Sequence, residues 1–237
     1  FKDIVKVGRT HLQDATPILV SQEFSGYTSQ IKNSLKRIRL SSNELLFLAQ
    51  GGTAVGTGLN SSSKFVKGFI KAIQIITGIE FKELKNKFEG LSSHEPIVSF
   101  SSSLNTLVIA CYKIANDLRL LSSGPRCGVG EYILPANEPG SSIMPGKINP
   151  TQCEAMTQVC LHLMGLHNAI MFSGTQGHFQ LNANKMVIIF NVLQSVKLIS
   201  DAIKSFCDRC LDKMILNKDS IEFNLEKSLM LVTALNP

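Results

Sequence analysis

The sequence predicts an all-α fold, an elongated bundle of long helices, from three observations. Apolar residues recur in alternating steps of three and four over several long stretches, as in Leu104, Leu107, Cys111, Ile114, Leu118 and Leu121. No segment alternates apolar and polar residues for long enough between turn signals to predict a sheet. Helix-breaking residues gather between these stretches, at Gly51 to Gly58 and at Gly124-Pro125. A seam that repeats every 3.5 residues packs helices nearly parallel, with left-handed supercoiling.

The first helix follows Pro17 and keeps helical spacing through Phe24, Tyr27, Ile31, Leu35, Ile38, Leu45 and Leu48, about 33 residues or roughly 50 Å long at 1.5 Å per residue. The glycines from Gly51 end it. A shorter helix follows Ser61 to Ser63 through Phe65, Phe69, Ile73 and Ile76 to Gly78, and residues 79–99, which include Pro96, read as an irregular connection. The third helix carries the Leu104 to Leu121 seam. The fourth starts with Asn149 as N-cap, Pro150 at the first helical position and Gln152 three residues after the cap, then runs through Met156, Val159, Leu163, Leu166 and Ile170. Val192, Val196, Ile199, Ile203, Phe206 and Cys210 continue the pattern in a fifth, and a short sixth covers Ile221 to Leu231.

Composition narrows the function classes. At 237 residues the chain can bury a core without disulfide or metal, and one domain over residues 1–237 is expected. Charged residues are 18% and hydrophobic residues 44%, with no Trp, whereas an average domain is roughly a quarter charged, so surface is expected to be buried between subunits. The net charge of +6 is scattered without a basic run and aromatics are few, which leaves no nucleic-acid footprint and only a mild attraction for dianions. Six cysteines contain one CxxC, Cys207 to Cys210, inside a helical pattern and without a second pair at zinc-ribbon spacing. Reduced thiols in a reducing compartment are expected, and their spacing does not suggest an iron–sulfur cluster. His162 and His167 stand five apart, which does not put them on one helix face for a metal. Even the apolar run Met186 to Phe190 is soon interrupted by Asn191, Gln194 and Lys197, so no membrane span is expected. The N-terminus lacks the pattern of a signal peptide. A start at Phe1 rather than Met, and an end at Asn236-Pro237, read as a piece of a longer protein.

The stretch Gly140-Ser141-Ser142-Ile143-Met144-Pro145-Gly146-Lys147-Ile148-Asn149-Pro150 carries the most chemistry. It sets hydroxyls, a cation and an amide in front of a helix N-terminus, whose unpaired N–H groups and positive dipole end suit a carboxylate guest. Lys147 and Asn149 alternate about Ile148, so an extended approach to the helix would put both on one side to grip one carboxylate. A plain linker has no need of such a density of Ser, Gly and Lys.

These residues resemble the signature of the fumarase/aspartase superfamily, Gly-Ser-Ser-x-Met-Pro-x-Lys-x-Asn. Thr151-Gln152-Cys153-Glu154-Ala155 and Gly8-Arg9-Thr10-His11-Leu12-Gln13-Asp14-Ala15 are similar to the class II fumarase branch, since aspartase-like members usually carry Gln where this chain has His11. The likeness continues through Gly51 to Gly58, Gly124-Pro125-Arg126, Gly177-His178-Phe179 and Leu229 to Pro237, over essentially the whole chain.

The resemblance implies reversible hydration of fumarate to malate without metal, iron–sulfur cluster or organic cofactor. It implies three catalytic residues: Ser141 as the base that takes the C3 proton of malate, His11 holding and polarising the water, and Glu154 as the charge partner of His11. Thr10, Ser142, Lys147 and Asn149 would bind substrate. A serine hydroxyl is scarcely ionised at neutral pH, so Ser141 needs activation by backbone N–H groups and by Lys147. The loop over residues 138–149 would close as a lid. The resemblance further implies a central helical domain assembling as a homotetramer, each active site drawn from three chains, with an upstream domain and a small downstream domain that this chain lacks. Little activity is expected from these 237 residues alone. The compartment would be the cytoplasm, or the mitochondrial matrix in a eukaryote. Two rival readings are an aspartase-like ammonia-lyase, against which His11 and Thr151 to Glu154 stand, and a non-catalytic structural member, against which Ser141, Lys147 and His11 stand.

Overall fold

The computed structural model describes residues 1–235; Asn236 and Pro237, the end of the last fumarase-like segment, lie outside the described residues. The fold class is all-α, with seven α-helices among the described residues and only short two-stranded ladders beside them.

Helix α1 spans Val20–Ser42 and is shorter than its apolar pattern predicts. The hydroxyls of Ser41 and Ser42 donate back to the carbonyls of Arg37, Ile38 and Arg39, and such back-bonding competes with helix continuation. Leu45 then falls in a 3-10 turn (Asn43–Leu46) and Leu48 in a two-residue strand (Phe47–Leu48). Helix α2 (Ser63–Thr77) has the expected ends: the Ser62 hydroxyl accepts from the Phe65 N–H at 3.2 Å, and Gly78 closes it at φ 69°.

The supposed irregular connection is partly helical. Asn86 caps a short helix α3 (Lys87–Ser92), and α4 (Glu95–Leu121) starts with Pro96 as its second residue, where a missing N–H leaves no bond unmade. Helix α5 (Thr151–Gly174) begins one residue later than the capping pattern predicts. The Pro150 carbonyl accepts the first bond from Glu154 N, while the Asn149 amide turns to the Gly140 carbonyl at 2.9 Å and Gln152 accepts from Ser205. Helix α6 spans Lys185–Arg209. Asn217 caps α7 (Lys218–Lys227), earlier than expected, and a 3-10 segment (Leu229–Leu235) follows.

One larger element went unpredicted. Strands β1 (Val5–Thr10) and β2 (Gln13–Leu19) form an antiparallel hairpin with an irregularity between Val7 and Arg9. Its pattern is hidden because Lys6 is as buried as Val7, and because Gly8 and Pro17 read as breakers. Gly8 is required there, since a Cβ would lie 2.6 Å from the Thr16 carbonyl oxygen. Two further strands, β3 (Tyr132–Ile133) and β4 (Ile215–Leu216), pair antiparallel. His178 lies in a small hairpin of Gly177–His178 with Leu181–Asn182.

The chain divides into two compact units. The first contains Phe1–Lys32, Ile109–Cys160 and Ile199–Pro237, and its core includes Val20, Ile114, Leu118, Tyr132, Met156, Phe206 and Ile221. The second contains Asn33–Val108 and Leu161–Leu198, with Ile170, Ile188 and Val192 packed by Ile97, Val98 and Phe100.

All six residues of the third predicted seam are buried, whereas Leu35, Ile76 and Val196 are exposed. Along α6, Met186, Phe190 and Leu193 are 77%, 67% and 62% exposed at helical spacing, an apolar stripe that this chain alone does not cover. The exclusion of membrane spans drawn from short apolar runs does not hold. Glu95–Leu121 and Lys185–Lys213 are long and apolar enough on average to cross a bilayer, and only 33% and 28% of their apolar windows are buried. Averaging over a window tolerates the scattered polar residues that break an unbroken run. The same two helices also supply many of the buried core residues, as core helices of soluble proteins do.

Candidate functional site

The chemistry-bearing residues of the first unit sit on three supports: a hairpin tip, a loop and the start of a helix. Thr10 and Gln13 pair at the end of the hairpin, leaving His11 and Leu12 as a two-residue turn. Their φ values are 56° and 62°, the mirror-image turn that suits strand twist. Neither is glycine, so each positive φ costs on the order of 1 kcal/mol, and such strain collects at sites where side chains must be aimed. His11 and Thr10 are solvent-exposed.

The signature loop is closed at its base. Gly140 has no room for a Cβ, which would overlap the Lys147 carbonyl oxygen, and the Asn149 amide donates to the Gly140 carbonyl. Inside this clasp the Ser141 hydroxyl oxygen accepts from the backbone N–H of Ile143 at 3.3 Å and of Met144 at 3.2 Å. Two donors aimed at one oxygen favour negative charge on it. The neighbouring Ser142 is exposed, as is Lys147, and Gly146 at φ 70° makes the turn between them. Glu154 is half-buried in the first turn of α5.

Ser141, Ser142, Lys147 and Asn149 thus share one clasped loop, and Thr10 with His11 shares the hairpin. Among the described residues, His11 and Glu154 make no ion pair or hydrogen bond with each other. The expected His–Glu couple is not formed within one chain.

A buried ionic cluster beneath the hairpin escaped the sequence reading. The Glu131 carboxylate is fully buried and receives both guanidinium nitrogens of Arg9, at 2.6 and 3.1 Å, together with Lys6 Nζ at 3.1 Å and Asn224 Nδ2 at 3.1 Å. Lys6 also reaches Glu23 at 3.0 Å, and Tyr132 donates to Glu23. Burial pushes the Glu131 carboxyl upward, but Arg9 and Lys6 outweigh it and hold the group below the usual carboxylate range. Burial raises the phenols of Tyr27 and Tyr132, and nearby carboxylates add to it. The available signal was a lysine between two valines and a glutamate before Tyr132, opposite charges within apolar segments. A cavity of about 350 Å³ above this cluster is lined by Arg9, His11, Glu23, Tyr27, Lys113 and Asp117, among others.

The thiols and the other imidazoles lie elsewhere: Cys111, Cys153, Cys160 and Cys210 are buried, whereas Cys127, His162 and His178 are exposed. Cys153 and Cys210 are both buried; the thiol of Cys210 and burial together raise Cys153, while burial pushes Cys111 to about 12 and Cys160 to about 11. In the second unit His167 pairs with Ser101 at 2.9 Å, and His94 with Lys185 at 3.1 Å. Among the described residues, no group of three or more His, Cys, Asp or Glu side chains is placed to share a metal ion.

A family model described as a lyase matches residues 1–165, more than half of the chain, and includes the hairpin, the clasped loop and Glu154. The chain belongs to this lyase family. Among relatives of the chain, "Fumarate hydratase class II" of Brucella suis biovar 1 (strain 1330) is 54% identical over 100% of the chain and 51% of its own length. "Fumarate hydratase, mitochondrial" of Saccharomyces cerevisiae is 55% identical over 100% of the chain and 49% of its own. A crystal structure of recombinant class II fumarase from Schistosoma mansoni superposes with a TM-score of 0.95 at 43% identity, covering 98% of this chain and 51% of its own. The chain therefore spans about half the length of the relatives it matches.

Proposed function

We propose that the full-length protein is a class II fumarase, adding water reversibly across fumarate to give malate, and that this chain supplies its signature loop and its imidazole. The observation that carries this reading is the Ser141 oxygen held by two backbone N–H groups within the clasp closed by Asn149. Those donors favour an anionic Ser141 oxygen, which takes the C3 proton of malate. The electrons left on C3 delocalise into the adjacent carboxylate as a doubly charged aci-carboxylate, neutralised by Lys147 with Asn149. Expulsion of the C2 hydroxyl follows, protonated at His11 and released as water, and fumarate remains. Ser142 and Thr10 hold the substrate carboxylates.

Because His11 and Glu154 are not paired in one chain, their coupling is assigned to different copies in a homotetramer. The α6 stripe of Met186, Phe190 and Leu193 supports this, since it leaves an apolar face for another copy to cover. Leu193→Asp is expected to shift the assembly to smaller species in sedimentation and to lower turnover with it, because a buried unpaired carboxylate opposes association by several kcal/mol. The compartment we assign is the cytoplasm, or the mitochondrial matrix in a eukaryote, in keeping with the name of the yeast relative.

Fumarate absorbs in the ultraviolet, so the reading is tested by following absorbance after adding malate to the full-length protein. Fumarate is expected from malate and not from aspartate. Fumarate from aspartate alone would replace the hydratase with an ammonia-lyase.

A further inference from the structure

We propose that Glu131 is a positioning residue for His11, acting through the Arg9 fork to hold the strained hairpin tip in its working orientation. The inference rests on the fumarase reading for His11's role, but the mechanical part stands on the fold. His11 and Leu12 occupy a turn that both residues disfavour, so their conformation must be imposed from below. Arg9 stands two residues before His11 on β1. Its guanidinium makes a two-pronged contact with Glu131, which fixes orientation as well as distance in a way a single ammonium cannot.

Glu131 itself is anchored on both sides. Its N–H donates to the Leu121 carbonyl at the end of α4, and its carbonyl accepts from Asn217 N at the start of α7, both at 2.9 Å. It also stands directly before β3, in the segment that leads on to Ser141. One side chain therefore ties the imidazole-bearing hairpin to the frame that leads into the hydroxyl-bearing loop.

Stability alone explains this cluster poorly. Four charged groups, Lys6, Arg9, Glu23 and Glu131, are withdrawn largely or wholly from water. The desolvation of buried ion pairs commonly cancels their attraction, so apolar residues of similar volume serve stability as well or better. Apolar packing does not provide a fork that orients a strand.

Glu131→Gln in the full-length protein keeps the side-chain shape and loses the charge and the paired acceptor geometry. We expect kcat for malate to fall by about 10- to 100-fold, the scale of a catalytic group misplaced by an ångström, with KM changed by less than about twofold. Amide exchange at Thr10 and Gln13 is expected to accelerate, a readout independent of what the enzyme turns over. Asn116→Ala, which removes the acceptor of the Arg119 hydrogen bond in the same unit, is expected to leave kcat within about twofold and serves as the measure of general loosening. A folded Glu131→Gln protein with wild-type kcat and unchanged exchange at the turn overturns the proposal. So does a loss in which kcat per folded molecule stays constant while only the melting temperature falls. Should Glu131→Gln fail to fold, Arg9→Lys retains the charge without the fork and is expected to show the same kcat loss; wild-type kcat in that variant overturns the proposal equally. If the wild-type protein does not convert malate, the fumarase reading fails, and the exchange measurement still decides whether Glu131 holds the turn.

Discussion

Ser141→Ala in the full-length protein is expected to lower kcat for malate dehydration by about 10²- to 10⁴-fold, the range lost with one positioned general base. KM and the melting temperature should change little. Removing the hydroxyl frees the N–H groups of Ile143 and Met144, but Ile143 is 84% exposed and Met144 47%, so water replaces the lost acceptor at small cost. Ser142→Ala makes the contrast. Ser142 is exposed and is assigned to substrate binding, so its loss should raise KM more than it lowers kcat. The two serines are chemically identical and adjacent, and only the pair of donors on Ser141 separates them. Reversed kinetics for the two variants would exchange their roles. Wild-type kcat in both would remove the loop from the chemistry.

Lys147→Met should lower kcat by about 10²- to 10³-fold, as removal of a donor from a developing oxyanion does. KM is expected to rise as well, because the same ammonium meets a singly charged carboxylate in the ground state and a more highly charged one at the intermediate. The part of the loss that appears in kcat measures how much stronger the second interaction is. Lys147 is exposed, so methionine in its place should not unfold the loop. A change in KM with kcat intact would make Lys147 a binding residue only and would leave the aci-carboxylate without its cation.

Much of the helical fold was legible. The seam from Leu104 to Leu121 is buried throughout, because a long buried helix must keep one face apolar and nothing else in the chain competes with that repeat. Helix ends were less legible wherever a polar side chain found a partner outside its own helix. Asn149 reads as a cap but serves Gly140, and Gln152 reads as the second half of a capping box but accepts from Ser205. The hairpin was concealed by Lys6. A lysine inside a strand signals exposure until the carboxylates that neutralise it are known, and those stand at Glu23 and Glu131, far along the chain. The membrane argument failed for a related reason, since a helix that lies against other helices and one that lies in lipid share length and apolarity.

The sequence by itself determined the family, the helical class and the inventory of reactive groups, because signature spacing and apolar period are local properties carried by neighbouring residues. The tertiary structure decided which serine receives the backbone donors, that the imidazole stands on a turn of positive φ, and that it forms no pair with the expected glutamate within one chain. Those are facts of distance between segments a hundred or more residues apart, or of the direction of single bonds, and no periodicity encodes either.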